Sequence, residues 1–303
     1  MHPSFGSFGN GELLRQMPPV LRARGFRLYL QGTSLEADAG GKTRLKSNRL
    51  VDLWQCGGEA ILGHTPSQVL RELKNTAERG LFAPFPHPQE KRLAKALSVL
   101  LPGRAFRFYT DEFSLRNALL KAGYQRQAEA PFPDPALAPL PPGGGTVLSL
   151  WRPFLWETHP GNMPPLLVPV LPWPHTSKVL ALESGLESAF PPSPLISPVI
   201  LAALTRSVYD LAAAQDRGKL NYRRITESIS RGNWRRRGIY CIYTGNLTDE
   251  GHALLFRRFL EEGFLLPPVK DQPLILPSGL STGEEVQLAE LLSRKLTRET
   301  ENG

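Results

Sequence analysis

Residues 25–66 read GFRLYLQGTSLEADAGGKTRLKSNRLVDLWQCGGEAILGHTP. Two short apolar runs, 26–30 (FRLYL) and 50–54 (LVDLW), stand between Gly-rich turns and predict strands. The stretch closes on Gly63-His64-Thr65-Pro66, and Pro66 opens a segment through Arg79 in which Val69, Leu70, Leu73 and Ala77 recur at helical spacing. Proline is tolerated in the first turn of a helix, and Gly80 ends this one. Strand, turn, strand, turn and helix in that order set the α/β theme of the chain.

Working outward, the arm before residue 25 holds one short helix near Glu12–Gln16. A second amphipathic helix is predicted from about Pro88 to Leu100, with Leu93, Ala94 and Leu97 on one face and Pro102-Gly103 as its stop. A strand at 105–109 (AFRFY) leads into a helix at 113–122, with Thr110 or Asp111 as N-cap. Residues 131–145 (PFPDPALAPLPPGGG) form an irregular loop. Three unbroken apolar runs follow, at 146–150, 166–171 and 178–182, and suit interior strands of a covered sheet. Pro169 argues that the second lies at an edge or a bulge. Ile200, Ala203, Leu204, Val208 and Leu211 give a helix from Pro198 to about Gln215. Then come a strand at 239–243, a helix at 248–262 between Thr248 and Gly263, and short strands at 264–266 and 273–277. Ser281 caps a last helix, with Glu284 completing a capping box.

With 303 residues, 41% hydrophobic and 21% charged, the composition is that of an ordinary globular protein with room for two modest domains. No apolar run reaches membrane-spanning length, and the first residues lack a signal-peptide core, so the cytoplasm is the default compartment. Cys56 and Cys241 make no CxxC pair, which argues against structural zinc and a disulfide framework. The formal charge of +8 raises the question of an anionic partner. The densest group, Arg231, Arg235, Arg236 and Arg237, encloses only Trp234, and reads as a solvated or interface turn; nucleic-acid binding is not expected. Glu157, His159 and His175 sit in a Pro-rich stretch without repeated spacing and read as surface residues. Gly143-Gly144-Gly145 is not followed by the helix and lysine of a phosphate loop.

Several local motifs fall in one shared order. Gly32, Asp38 and Gly40, Val51-Asp52, and the Gly63–Pro66 turn make one series. Ser197-Pro198 before the long helix comes next. Residues 259–268 (FLEEGFLLPP), then Pro277-Ser278-Gly279-Leu280-Ser281 with Glu284-Glu285-Val286, complete it. This order resembles the class III aminotransferases, the pyridoxal-phosphate (PLP) enzymes that include glutamate-1-semialdehyde aminomutase. The resemblance implies fold type I: a large cofactor domain around a central mixed sheet, and a small α+β domain formed by both chain ends. It divides the chain into an arm with part of the small domain (1–85), a reduced large domain (86–217) and the rest of the small domain (218–303). It also implies dimerisation through the large domain, with the aromatic and Pro-rich segment Trp151–Pro174 as a candidate contact surface.

The chain departs from the family where the cofactor binds. The family's phosphate turn is Ser-Gly-Thr at a helix start; the matching segment here is Thr110-Asp111-Glu112, which puts carboxylates where a dianion belongs. The aspartate that holds the pyridine nitrogen has no counterpart motif, and the acids nearest an apolar run, Glu157 and Glu183, lack its continuation. The one lysine in the right part of the chain is Lys178, without the glycines that follow the family lysine. Only about 85 residues separate the phosphate-turn equivalent from Ser197, which implies a shortened, degenerate large domain. The expectation is therefore an aminotransferase-like pseudoenzyme, cytoplasmic and cofactor-free. It would act as a binding or partner protein, either as a homodimer or as a heterodimer with a related aminotransferase. The alternative is an active PLP enzyme of unusual form that uses Lys178.

Overall fold

A computed structural model describes residues 9–34, 44–141, 145–155, 163–173, 177–216 and 222–294. In chain order the elements begin with α1 (Gly9–Arg15), β1 (Val20–Arg24), β2 (Arg27–Leu30), β3 (Arg49–Asp52), α2 (Ser67–Ala77) and α3 (Gln89–Leu100). They continue with β4 (Arg104–Tyr109), α4 (Glu112–Lys121), α5 (Gln125–Glu129), β5 (Leu148–Trp151), β6 (Leu166–Pro169), β7 (Lys178–Glu183) and α6 (Pro198–Asp216). The last are α7 (Arg223–Ile229), β8 (Trp234–Arg237), β9 (Tyr240–Tyr243), α8 (Asp249–Glu261), β10 (Phe264–Leu265), β11 (Leu274–Ile275) and α9 (Thr282–Ser293). The chain divides into two compact units, one built from residues 1–65 with 219–303 and the other from 66–218.

The first unit unites both ends of the chain. β1 and β2 form a hairpin in which Arg24 pairs with Arg27, and Gly25 takes the positive φ (57°) that a two-residue turn needs. β3 continues the sheet antiparallel to β2, and β10 adds to β3 in parallel, giving the order β1-β2-β3-β10. The run at 50–54 is a strand only to Asp52. There the Asp52 carboxylate accepts the backbone N–H groups of Trp54 and Gln55, each at 2.8 Å, and turns the chain. A second sheet, β11-β9-β8, holds the arginine group: residues 234–237 are a strand, with Arg237 buried, and not the turn expected from charge density. Its pairing with β9 supplies a backbone partner that residue type alone did not announce. Thr248 caps α8 through Gly251 N–H (3.0 Å), and Ser281 with Glu284 forms the capping box of α9. Glu284 also accepts from Arg27 at 2.5 and 2.9 Å and pairs with Arg49, so one buried carboxylate ties α9 to β2 and β3.

The second unit carries a four-stranded sheet in the order β4-β7-β6-β5. β7 runs antiparallel to both β4 and β6, and β5 runs parallel to β6. Leu148, Leu166, Val168, Leu180, Leu182 and Tyr109 form one buried face, against which α4 sets Leu115, Ala118 and Leu119. α6, the helix whose apolar stripe was plainest in the sequence, packs with α2 and α3. Pro169 corrects the expectation of an edge or a bulge: β6 lies inside the sheet and pairs with β5 in unbroken register through Trp151 and Pro169. The proline is tolerated because it is the last strand residue, beyond the Leu166 and Leu167 pairing with β7. The ladder resumes after it, where Val170 N–H donates to the Trp151 carbonyl at 2.9 Å. β5 is one of the two edges, and the proline-rich loop lies along it: the Pro133 carbonyl accepts from Leu150 N–H (2.9 Å) and Ser149 Oγ (3.0 Å). A segment rich in proline has few N–H groups of its own, so this edge cannot readily template another strand.

Candidate functional site

Because β7 opposes its neighbours, the C-terminal ends of β4, β5 and β6 share one edge with the start of β7. Open α/β sheets place ligands at this edge, where loops and helix N-termini converge. Four features gather there: the start of α4 after β4, Lys178 at the head of β7, the exit of β5 through Arg152, and the exit of β6 through 170–173.

The start of α4 is closed by its own side chains. Asp111 Oδ1 accepts Ser114 N–H at 2.7 Å, and Ser114 Oγ accepts Asp111 N–H at 3.2 Å, completing a capping box. Thr110 Oγ1 donates to Asp111 Oδ2 at 3.1 Å. The Ser114 N–H bond is the chief cause that holds the Asp111 carboxyl below its ordinary range. Glu112 adds a second carboxylate, paired to Arg116 at 2.7 Å one turn on. The helix dipole at this end is thus already answered by negative charge.

Lys178 pairs in register with Tyr109, so both side chains emerge on the α4 face of the sheet. Tyr109 is buried, and its hydroxyl makes no hydrogen bond among the described residues. Burial pushes that phenol up to about 12, with Arg107 drawing it back only in part. Glu183 closes the same strand at its other end, where it pairs with Arg104. Five residues of strand put it ~16 Å from Lys178, so the structure does not bring those two together. Glu157, His159 and His175 lie outside the described residues, as do Asp38, Gly40 and Gly143-Gly144.

The exit of β5 holds a pair that the sequence reading missed. Arg152 Nε meets both carboxylate oxygens of Asp134, at 3.1 and 3.2 Å, and its Nη2 meets Oδ2 at 2.5 Å. Both side chains are buried, at 4% and 7% exposure, and Asp134 Oδ1 also accepts Ala136 N–H. Asp134 sits in the proline-rich loop and Arg152 just past an apolar run, 18 positions later. No local spacing joins them; only the loop's course along β5 does. Two further left-handed residues mark this edge, Phe154 (φ 59°) and Trp173 (φ 28°). Each is held to α6: Phe154 N–H donates to Gln215 Oε1, and the Trp173 carbonyl accepts from Ser207 Oγ. The described part of Trp151–Pro174 is therefore mostly core, since Trp151, Arg152, Phe154, Leu155 and Leu166–Val168 are buried. The buried rings of Trp151 and Phe154 are not the solvent-facing kind that marks an interface, and residues 156–162 and 174 of the segment lie outside the described residues.

These groups do not fit PLP as the resemblance would have it. A phosphate at the α4 start would meet the Asp111 carboxylate in place of free N–H groups. Each pair of like unit charges at ~4 Å costs about 1 kcal/mol in water and about 4 kcal/mol at an effective dielectric of ~20. At the ends of β5 and β6 the side chains are Arg152 and Val170-Leu171, and Asp134, the carboxylate nearby, is committed to a guanidinium. Lys178 stands at the head of β7, on the edge where these groups gather.

Outside this edge, His64 Nε2 and Asp52 Oδ2 lie 2.8 Å apart, with Asp52 1% exposed. Asp52 thereby fastens the Gly63–Pro66 turn to the end of β3, and His64 serves that turn. Cys241 is buried, its thiol pushed up to about 12 by burial, which makes it unreactive at neutral pH. Among the described residues no cluster of three or more His, Cys, Asp or Glu could hold a metal, and no helix is long and apolar enough to cross a membrane.

No family model matches the sequence. An uncharacterized protein of Treponema pallidum (strain Nichols) is 24% identical over 313 aligned residues, covering 88% of this chain and 91% of that protein. Among solved structures, the ornithine delta-aminotransferase of Plasmodium falciparum superposes with a TM-score of 0.63 at 12% identity, over 91% of this chain and 92% of the other. The acetylornithine aminotransferase of Elizabethkingia anophelis gives 0.60 at 10% identity over the same shares. An omega-transaminase of Thermomicrobium roseum gives 0.61 at 12% identity over 97% and 94%. Identities this low speak for architecture and leave chemistry open. Matched over most of its length by these enzymes, the chain has the α/β fold of the aminotransferases.

Proposed function

We propose that this chain is a reduced, degenerate member of the class III aminotransferase lineage that has given up PLP catalysis and acts as a binding or partner protein. The observation that carries the proposal is the capping of α4. Asp111 and Ser114 engage the helix-start groups on which a cofactor phosphate would depend. The Arg152–Asp134 pair supports it by filling the exit of β5 with a satisfied ion pair. The four-stranded sheet, sealed along β5 by Pro133, supports a shortened large domain. The test is a PLP titration of the purified chain. No saturable visible band of a protein-bound Schiff base is expected, and no adduct trapped by borohydride. A trapped adduct that disappears in Lys178→Ala overturns the proposal.

That outcome is the second reading, an active enzyme using Lys178. Its favouring observation is the position of Lys178 on the same edge and face as the α4 start, opposite the buried Tyr109 hydroxyl.

For the partner, the reading is a homodimer or a heterodimer with a related aminotransferase. In the 66–218 unit, Phe85 and Leu195 are 54% and 47% exposed and flank one shallow cleft, an apolar surface of the kind that association covers. Sedimentation of the chain and of Phe85→Asp tests this; a monomer in both, with and without a candidate paralogue, removes it. The free thiols Cys56 and Cys241 suit a reducing compartment, the cytoplasm, and localisation of a tagged chain checks that placement.

A further inference from the structure

The sheet built by both chain ends has an open edge at β1. β1 pairs with β2 alone, and the ladder bonds show which of its backbone groups are left over. Leu30 N–H donates to the Asn48 carbonyl at 2.8 Å, and Asp52 N–H to the Phe26 carbonyl at 2.9 Å. The even-numbered residues of this stretch thus bond toward β3, and Arg27 and Tyr29 bond back to Arg24 and Arg22 across the hairpin. Ala23 stands opposite Leu28 between those two bonded pairs, so its N–H and C=O point away from β2. No described residue bonds to them.

This edge is both apolar and basic. Val20 and Leu21 are 48% and 66% exposed, which leaves two aliphatic side chains in water beside unused backbone groups. Arg22 and Arg24 are exposed as well, on the face of the sheet that carries Tyr29 and Arg27. Neither has an acidic partner among the described residues. Arg22 lies 4.5 Å over the Tyr29 ring, which holds its guanidinium in place. Proteins keep edge strands from unwanted pairing with charge, proline and bulges, and β1 has its arginines and a bulge between Val20 and Arg22. Those arginines also decide the occupant. A second copy paired antiparallel about Arg22 would set that residue against its own counterpart, and like charges directly opposite repel. A strand with acids at alternate positions instead meets both guanidiniums on one face, ~7 Å apart. Between them Ala23 is small enough to admit a bulky apolar neighbour.

We infer that β1 takes up an extended acidic segment of a partner protein by strand addition. Acidic side chains stand opposite Arg22 and Arg24, an apolar one stands between them, and Ala23 supplies the backbone bonds. The assignment holds whether or not the chain binds PLP, and it uses a different surface from the Phe85 cleft.

Three fluorescein-labelled peptides, acidic SEVEVTS, basic SKVKVTS and proline-broken SEPEPTS, are titrated with the full-length chain and read by anisotropy. SEVEVTS is expected to bind saturably and to weaken as salt is raised, with the other two at least tenfold weaker. Ala23→Pro removes the outward N–H at a place where an edge strand tolerates proline, and should lower the affinity at least tenfold. Arg22→Glu with Arg24→Glu should reverse the preference, so that SKVKVTS binds the tighter. In the wild type, exchange of the Ala23 amide should slow when SEVEVTS is bound. Circular dichroism and thermal unfolding establish that each variant is folded; if Ala23→Pro does not fold, the arginine reversal and the amide exchange decide. The inference is overturned if the wild-type chain gives no saturable signal at millimolar peptide, or if SEPEPTS binds as well as SEVEVTS. An unchanged preference in the folded double variant, or an Ala23 amide unaffected by SEVEVTS, overturns it too. A wild-type dimer that Ala23→Pro dissociates would assign the edge to a second copy and overturn it as well.

Discussion

Removing the Asp134 carboxylate while keeping Arg152 should be among the most damaging single changes in the 66–218 unit. In Asp134→Ala the guanidinium, only 4% exposed, loses the acceptor it meets at 2.5–3.2 Å, and Ala136 N–H loses its acceptor too. Breaking a buried pair from one side typically costs 3–5 kcal/mol, because the remaining charge stays desolvated; about 4 kcal/mol is the expectation. Replacing both partners, as Asp134→Leu with Arg152→Met, removes the buried charge along with the bond. That double variant should therefore sit within ~2 kcal/mol of wild type, well short of the sum of the singles. Urea unfolding gives the free energies, and amide exchange in β5 and β6 confines the reading to this unit. A cost below ~1 kcal/mol for Asp134→Ala, or strict additivity in the double variant, would refute the view that this pair is a desolvated, coupled unit.

Three further changes follow from the geometry. Asp111→Ala should cost about 1 kcal/mol at neutral pH through the lost α4 cap. Because the folded carboxyl lies below its usual range, the cap contributes fully above ~pH 4 and fades as pH falls through the lower folded value, so wild type and variant should converge in acid. Urea midpoints against pH check both statements. Glu284→Gln should cost ~2 kcal/mol by weakening charged bonds to Arg27. Burial pushes Glu284 up, but Arg27 and Ser281 together draw it below its ordinary value, so this contribution too is lost on acidification, as a thermal melt series would show. Gly63→Ala should cost ~1–3 kcal/mol, since Gly63 sits at φ 89° and an added Cβ would lie 3.1 Å from the Gly25 carbonyl oxygen; a midpoint unchanged from wild type counts against that strain.

Sequence alone determined those parts of the protein whose signals are local. The apolar stripe of α6, the Ser281–Glu284 box, the Thr248 cap and an α4 cap at Thr110 or Asp111 all depend on residues within a turn or two of one another. The strands expected at 105–109 and 178–182 announced themselves by short, largely apolar runs. The order of short turn motifs along the chain pointed to the aminotransferase architecture. Tertiary structure decided the rest, because the deciding partners are far apart in the chain. β8 became a strand because β9 offered it a ladder, against the hint of four neighbouring arginines. Pro169 ended inside a sheet because strand order, which no window of sequence carries, put β6 between β5 and β7. Asp134 and Arg152 became a pair only when a proline-rich loop lay along β5. His252 found the Pro267 carbonyl only when the loop before β11 lay against α8. Local sequence fixes dihedral preference and capping, whereas long-range pairing is settled by which buried surfaces and buried charges find one another.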